Sequence, residues 1–385
     1  MDRPIVVVGG GIIGTAIAYR LQITKTPTVL VERDVVPQGA SAFSFASLSA
    51  FDEPQHDVYL LKSHGMVAWR RWAKEFGNDL GVRFPGELRW AESKEAGAQL
   101  TTLVDRAISR GYPVRYVDAA KIAAHEPSSH PHEVVVGSLA PDDGQADPVR
   151  AIDVLRGAFV DAGGELGMGR ASLLPTDGGM LVRVGDESVE ASTVILATGA
   201  ETTAFLGRLG WDVPMDPSPG LLAVTGPVPP FLTGTVYVYP AKGVAIHIRQ
   251  RADGRVVMGE RGQDEVAKTP TLEHAQLLLR QAAKSFPALE SAEIDYFTVE
   301  WRPMPRDGKP IVGRLPGVSS LYVATGHSGV TIAPALAELV SQEIVDGREA
   351  NRLKRLRPGR FAAHAADAVR SIEEAFGGGS EIFLG

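Results

Sequence analysis

Ile5-Val6-Val7-Val8-Gly9-Gly10-Gly11-Ile12-Ile13-Gly14, an apolar-periodic run to Leu21, and then Thr28-Val29-Leu30-Val31-Glu32 form the stretch on which the reading of this chain turns. The first run lacks polar alternation, as expected of a parallel strand buried on both faces. Gly9, Gly11 and Gly14 fit G-x-G-x-x-G: one glycine for the tight turn, one for close approach to a pyrophosphate, one for packing of helix on strand. Ile13, Ala16, Ile17 and Leu21 fall on one helical face, which would cover the sheet. The helix starts at the glycines, so its free N–H groups and positive dipole end face any phosphate bound there. Glu32 lies 18 residues beyond Gly14, at the end of the second strand, where a carboxylate accepts from a ribose diol. Strand, glycines, helix, strand and acid occur in the order that a dinucleotide-binding unit requires.

The rest of the composition narrows the class. A chain of 385 residues with 44% hydrophobic and 22% charged residues is an ordinary globular protein with ample core. Its net charge of −7 argues against a dedicated nucleic-acid binder. The absence of cysteine excludes disulfides, thiolate metal sites and a cysteine nucleophile. A buried strand begins almost at the N-terminus and no run approaches the roughly 20 apolar residues of a membrane span. The expectation is a cytoplasmic protein with no signal peptide, no membrane partner and no nucleic-acid partner.

Working outward from the fingerprint, Arg33 is followed by a small, hydroxyl-rich stretch, Ala40-Ser41-Ala42-Phe43-Ser44-Phe45-Ala46-Ser47-Leu48. Small side chains let a backbone pass close to a bulky ligand, and Ser41, Ser44 and Ser47 can donate to it. Periodicity predicts helices near 57–79, 94–109, 118–124, 149–162 and 271–285, with Gly163-Gly164 as the stop of the fourth. Alternation over Gly81–Ala91 predicts antiparallel strands that open a second subdomain. Thr193–Ala197, closed by Thr198-Gly199, is again a buried parallel strand, and small residues at such a carboxyl end are where ligands sit. From 214 to 300 the pattern is β-rich, with Asp253-Gly254 as a hairpin turn. Leu321–Ala324, the loop Thr325–Gly329 and a helix through Val345 return to the first sheet, with Pro334 expected in that helix's first turn.

The predicted fold class is therefore α/β, a Rossmann-type cofactor domain (1–80, 144–212 and 308–350) interleaved with an antiparallel-sheet substrate domain (81–143 and 213–307). A tail follows over 351–385. Its basic run, Arg352, Lys354, Arg355, Arg357 and Arg360, reads as a solvated linker. Phe361, Ala365, Val369, Ile372 and Phe376 then recur at helical spacing, a stripe expected to dock on this subunit or on a second one.

Several segments together carry a resemblance. Val8–Gly14 with Glu32-Arg33, Ala40-Ser41, Ala197-Thr198-Gly199-Ala200, Trp301-Arg302-Pro303-Met304-Pro305-Arg306-Asp307-Gly308-Lys309-Pro310-Ile311-Val312-Gly313 and Gly326-His327-Ser328-Gly329-Val330-Thr331 occur in the order, and at the distances, of the FAD-dependent D-amino acid oxidase superfamily. The chain resembles its glycine oxidase and sarcosine oxidase branch over roughly residues 4 to 350. The resemblance implies FAD, and it implies cofactor contacts at Gly9, Gly11, Ile12, Ile13, Gly14, Glu32, Arg33, Ala40, Ser41, Ser47, Leu48, Ala197, Thr198 and Gly199. Gly326, His327, Ser328, Gly329, Val330 and Thr331 would hold the flavin ring. With no cysteine, and no histidine before His56, the FAD is expected to be non-covalent.

The activity so implied is oxidation of the amine of a small or N-substituted amino acid to an imine, by hydride transfer to flavin N5, followed by hydrolysis. The loop Gly326–Thr331, opening a helix, would present N–H groups to the charge that develops near flavin N1. A fixed arginine fork on the substrate carboxylate would orient the amine, and Arg302 is the candidate. Tyr237 and Tyr239 share one face of a strand, as do His247 and Arg249 on the next, and Arg261 follows; each is a further pocket candidate. The lysine that sarcosine oxidase-like members place over the flavin has no counterpart in Gly243–Arg249, so the electron acceptor is left open. An aromatic flavin monooxygenase and a non-catalytic flavoprotein subunit are the alternatives. Metal and acyl-transfer chemistry lack their motifs.

Overall fold

The computed structural model describes residues 3–361, apart from 36, 132, 210, 212, 217 and 261–270, together with 382 and 383. Two sheets carry it. The first has six strands in the order Ile311–Leu315, Val318–Thr325, Thr193–Leu196, Ile5–Val8, Thr28–Glu32 and Glu165–Met168. All neighbours run parallel except the first pair. Val6 stands between Val194 and Val29 in register, and Ile5 to Val8 are all buried, as the unalternated run requires. The fingerprint helix, Ile12–Ile23, lies against Pro148–Asp161 and against a late helix, Gly329–Asp346, which also packs on the long helix His56–Phe76.

The second sheet has eight strands, in the order Ile294–Trp301, Pro219–Thr225, Val256–Glu260, Ile246–Gln250, Thr235–Tyr239, Glu87–Ala91, Val136–Ala140 and Arg115–Val117. The chain thus alternates between sheets, and the α/β class holds. The stretch Gly81–Ala91 departs from the expected antiparallel pair. Val82–Arg83 joins a small sheet beside Gly144–Ala146. Glu87–Ala91 runs antiparallel to Val136–Ala140 but parallel to Thr235–Tyr239. It is buried on both faces: Leu88 and Trp90 enter the core, while Glu87 and Arg89 pair with each other on the opposite face. Residues 165–191 add an edge strand to the first sheet and a meander, Ala171–Thr176, Gly179–Val184 and Glu187–Ala191.

Helix ends follow local chemistry. Gly163 at φ +88° ends Pro148–Asp161: its N–H donates to the Val160 carbonyl, and that of Gly164 donates to the Phe159 carbonyl. Pro334 lies deeper than the first turn, inside Gly329–Asp346. A proline there gives no N–H to the carbonyl four residues back, that of Val330. The fully buried Trp69 supplies the missing donor from the neighbouring helix, Nε1 to the Val330 oxygen at 2.7 Å.

The basic run is not a solvated linker. Leu353 and Leu356 are buried, Arg357 pairs with Glu343, and Arg360 pairs with Asp307 at 2.7 Å. The charges alternate with apolar residues in two short 3-10 turns, Asn351–Leu356 and Pro358–Phe361, so one side of the run faces the core. Most of the stripe expected over 361–376 lies outside the described residues. Among the described residues no helix is long and apolar enough to cross a membrane.

Candidate active site

One cavity of about 920 Å³ runs between the two sheets, and both contribute to its lining. Its first end is the glycine turn. Gly9 has φ +107°, and a methyl group on Gly14 would sit 1.9 Å from the Gly9 carbonyl oxygen. Both glycines are therefore imposed by geometry rather than by composition. Gly11 is the N-cap of Ile12–Ile23 and offers no side-chain cap, which leaves the helix end open to the cavity. Ser41 Oγ accepts from the Ile12 N–H at 3.1 Å and holds the small-residue stretch against this turn. Glu32 accepts from the backbone N–H groups of Gly10, Arg33 and Asp34, which fixes its carboxylate at the cavity edge. Arg33 pairs with Glu201 at 2.8 Å and Asp34 at 3.1 Å.

The second end is built by the loop before Gly329–Asp346. Gly326 has φ +157°, and a methyl group there would come within 2.6 Å of Pro310 Cα. Ser328 takes the left-handed region at φ +58° and caps nothing with its side chain, so a second helix opens its positive end to the same cavity. Thr325 Oγ1 donates to the Gly199 carbonyl at 3.0 Å, and Thr331 Oγ1 to the Ser47 carbonyl at 3.0 Å, which ties three cavity loops together. These two open helix ends, the methyl-intolerant glycine cradle and the anchored Glu32 fit a flavin adenine dinucleotide. Its pyrophosphate would lie at Gly11–Ile13, its ribose at Glu32 and its ring at Gly326–Thr331.

Beyond the ring end the wall changes character. Arg302 lines the cavity with its Nε and Nη2 on the carbonyls of Ser218 and Pro219, at 3.2 and 3.4 Å. Tyr237 and His247 line it too, the histidine ring 4.1 Å from that of Phe45 and 5.4 Å from that of Tyr237. Gly259 makes room for the imidazole, since a methyl there would lie 2.3 Å from Nε2. Glu300 also faces the cavity, and burial raises its pKa.

Most of the expected residues converge on this cavity: Gly9, Gly11, Ile12, Ile13, Glu32, Arg33, Ala40, Ser41, Ser47, Ala197, Thr198, Gly199, Gly326 to Thr331, Arg302, Tyr237 and His247. Four do not line it. Gly14 serves the turn itself. Leu48 alternates with Ser47 along its strand and turns into the core. Tyr239 packs with Phe51, Tyr59 and Tyr112, one strand period past the cavity. Arg249 lies beneath Phe45, whose carbonyl accepts from its Nε. Burial, then the charge of Arg251, pushes that guanidinium down to about 9, still charged at neutral pH. Arg261 lies outside the described residues.

Sequence reasoning misses a charged group in the wall: Asp52, Lys62 and Arg89. Arg89 is sandwiched between the rings of Phe51 and Tyr237, 4.2 and 4.3 Å from their centroids. Its Nη2 lies 2.6 Å from Glu87 and its Nη1 3.4 Å from Asp52. Burial opposes its charge, but Glu87 and its other neighbours outweigh that and hold it ionised. Behind it Asp143, fully buried, accepts from Ser49 Oγ at 2.7 Å and from the Tyr112 hydroxyl.

Fold and site together define a flavin-nucleotide oxidoreductase. Comparison with known proteins agrees: the sequence profile of the FAD dependent oxidoreductase family matches residues 4–343, and the chain belongs to that family. It is similar to the glycine oxidase of Bacillus subtilis (strain 168), 27% identical over 363 residues that cover 90% of this chain and 94% of that one. It is also similar to an opine oxidase subunit of Agrobacterium tumefaciens (strain Ach5), 24% identical, covering 94% and 98%. Among solved structures, glycine oxidase from Geobacillus kaustophilus shares the fold with a TM-score of 0.82, 22% identity and coverage of 93% and 98%. The cofactor is FAD.

Proposed function

We propose that this protein oxidises the amine of a small or N-substituted amino acid to an imine, which water then hydrolyses. The observation that carries the reading is Arg302, a guanidinium pinned by two backbone carbonyls in the wall of the same cavity that the helix Gly329–Asp346 opens into. The similarity to a glycine oxidase and to an opine oxidase subunit supports it. FAD, when bound, supplies the hydride acceptor. Arg302 holds the substrate carboxylate and so sets the direction of the amine. Tyr237, His247 and Phe45 form the aromatic wall that excludes water from the reacting carbon. The helix N-terminus at Gly329 stabilises the negative charge that hydride transfer creates. In this proposal the segments 1–80, 144–212 and 308–350 hold the cofactor, while 81–143 and 213–307 hold the substrate.

Anaerobic mixing with a panel of amino acids tests the reading. Loss of oxidised-flavin absorbance without NAD(P)H is expected for at least one of them, and a requirement for NAD(P)H would sink it. Arg302→Lys should raise KM steeply with FAD retained, because a point charge cannot replace the fork and a broken charge pair is worth on the order of 2–5 kcal/mol. Unchanged kinetics would remove Arg302 from the site.

A further inference from the structure

One carboxylate in the cavity wall has no part in the reaction as drawn. Glu300 lies on the edge strand Ile294–Trp301, opposite Gly220 of Pro219–Thr225, and both residues line the cavity. The register fixes its direction. Leu221 and Ala223 enter the core beneath the sheet, while Leu222 and Val224 pack with Phe45 on the cavity side. Gly220 is two residues before Leu222, so Glu300, in the row of Gly220, stands on the cavity side too. Among the described residues neither a hydrogen bond nor an ion pair reaches its carboxylate, and burial alone acts on its pKa. A half-buried carboxylate with no partner is costly, and a cation from outside the chain relieves that cost.

The same strand carries Arg302. Its backbone N–H donates to the Ser218 carbonyl at 2.9 Å, which continues by one step the pairing of Glu300 with Gly220 and Trp301 with Pro219. Glu300 and Arg302 are therefore two residues apart on one extended stretch and on one face, with Cα atoms about 6.5–7 Å apart. They do not neutralise each other, because the Arg302 guanidinium is turned onto the carbonyls of Ser218 and Pro219. The wall thus sets a cation and an anion side by side. An α-amino acid, which carries its carboxylate and its ammonium on one carbon, presents the complementary pair.

Building on the amine-oxidising reading above, we infer that Glu300 receives the substrate's amine while Arg302 receives its carboxylate. The nitrogen arrives as an ammonium, with its lone pair tied up in an N–H bond. That bond breaks, the proton passes to the Glu300 carboxylate, and the freed lone pair lets the α-carbon give up hydride. Glu300 is then a catalytic residue. The short helix Gly39–Ala42 also lies against this strand, so the carboxylate could instead meet a hydroxyl of the cofactor, and the two sources give different results.

The test uses the FAD-loaded protein and two acids of one skeleton, 2-aminoisobutyrate and isobutyrate. Neither can be oxidised at an amine, since the first has no hydrogen on its α-carbon and the second has no nitrogen. In calorimetric titration the amino acid should bind at least about tenfold more tightly, Glu300→Gln should remove most of that preference, and Glu300→Asp should keep part of it. Arg302→Lys should weaken both acids and leave their ratio. In turnover, kcat/KM for any amino acid that bleaches the flavin should fall at least about tenfold in Glu300→Gln, with kcat falling too, because proton removal belongs to the reacting step. No preference for the amino acid in the unaltered protein overturns the inference even if the variants fail to fold, and so does a preference that survives Glu300→Gln. A changed FAD dissociation constant with that preference intact also overturns it, and assigns the carboxylate to the cofactor. If no amine is oxidised, the reaction reading falls, while the paired titration still decides on Glu300.

Discussion

Replacing Trp69 by phenylalanine should destabilise the protein in a way that depends on residue 334. Trp69 is fully buried, and its indole N–H gives the Val330 carbonyl the bond that Pro334 cannot give. Trp69→Phe removes that donor and leaves a buried carbonyl unpaired, at a cost of about 1–3 kcal/mol. Loss of indole volume adds roughly 1–2 kcal/mol more. In a Pro334→Ala background the new N–H at 334 points along the helix at the Val330 oxygen, so only the volume loss remains. The two substitutions should therefore couple by about 1–3 kcal/mol, with the double variant more stable than the sum of the singles implies. Denaturant unfolding of the four proteins at one saturating FAD concentration reads this directly. Effects that add to within about 0.3–0.5 kcal/mol would show that the carbonyl is not the shared group.

Three other perturbations test the cofactor half and its support. Gly14→Ala places a methyl 1.9 Å from the Gly9 oxygen, so the fingerprint helix must shift at a cost of about 1–3 kcal/mol or more; the protein should purify colourless, and a yellow variant would contradict the geometry. Acid precipitation should release free flavin into the supernatant, and flavin fluorescence that stays with the denatured chain would show covalent attachment. Burial and the charge of Glu87 raise the Asp143 pKa well above the usual carboxylate range. Its contribution to stability is then full below its unfolded pKa and is lost as pH rises from there through the folded one; Asp143→Asn should flatten that decline, and an unchanged pH–stability curve would refute the assignment.

What can be read from the residues alone, and what cannot, divides along physical lines. The cofactor turn is legible because its glycines answer to backbone geometry: Gly9, Gly14 and Gly326 each stand where a Cβ would strike backbone or Pro310. The two-residue period correctly puts Tyr237 with Tyr239 and His247 with Arg249, but periodicity does not say where a cavity ends. Phe45, from a loop some 200 positions away in sequence, lies over Arg249 and leaves His247 in the wall. Arg89 reads as the solvent side of an alternating strand, and it is buried by Tyr237 of the parallel neighbour Thr235–Tyr239 together with Phe51 from a loop distant in sequence. For Lys62 a signal is present, since a lysine one turn from both Val58 and Met66 interrupts an otherwise apolar face. Pro334 falls deeper than its sequence suggests because the helix start depends on the left-handed Ser328, which no propensity marks.

The late helix Gly329–Asp346 also sets a schedule for synthesis. It packs on the fingerprint helix Ile12–Ile23, whose buried side includes Ile13, Ala16 and Ile17. Between the last residue of one and the last of the other lie 323 positions, 346 minus 23. A ribosome adding roughly 5–20 residues per second needs about 15–65 s to make them. Throughout that interval the first apolar helix has left the ribosome without the partner that covers it. The burden this chain places on holding chaperones is thus written into the order in which its central layer is delivered, and a circular permutant that begins near Gly317 would shorten the wait.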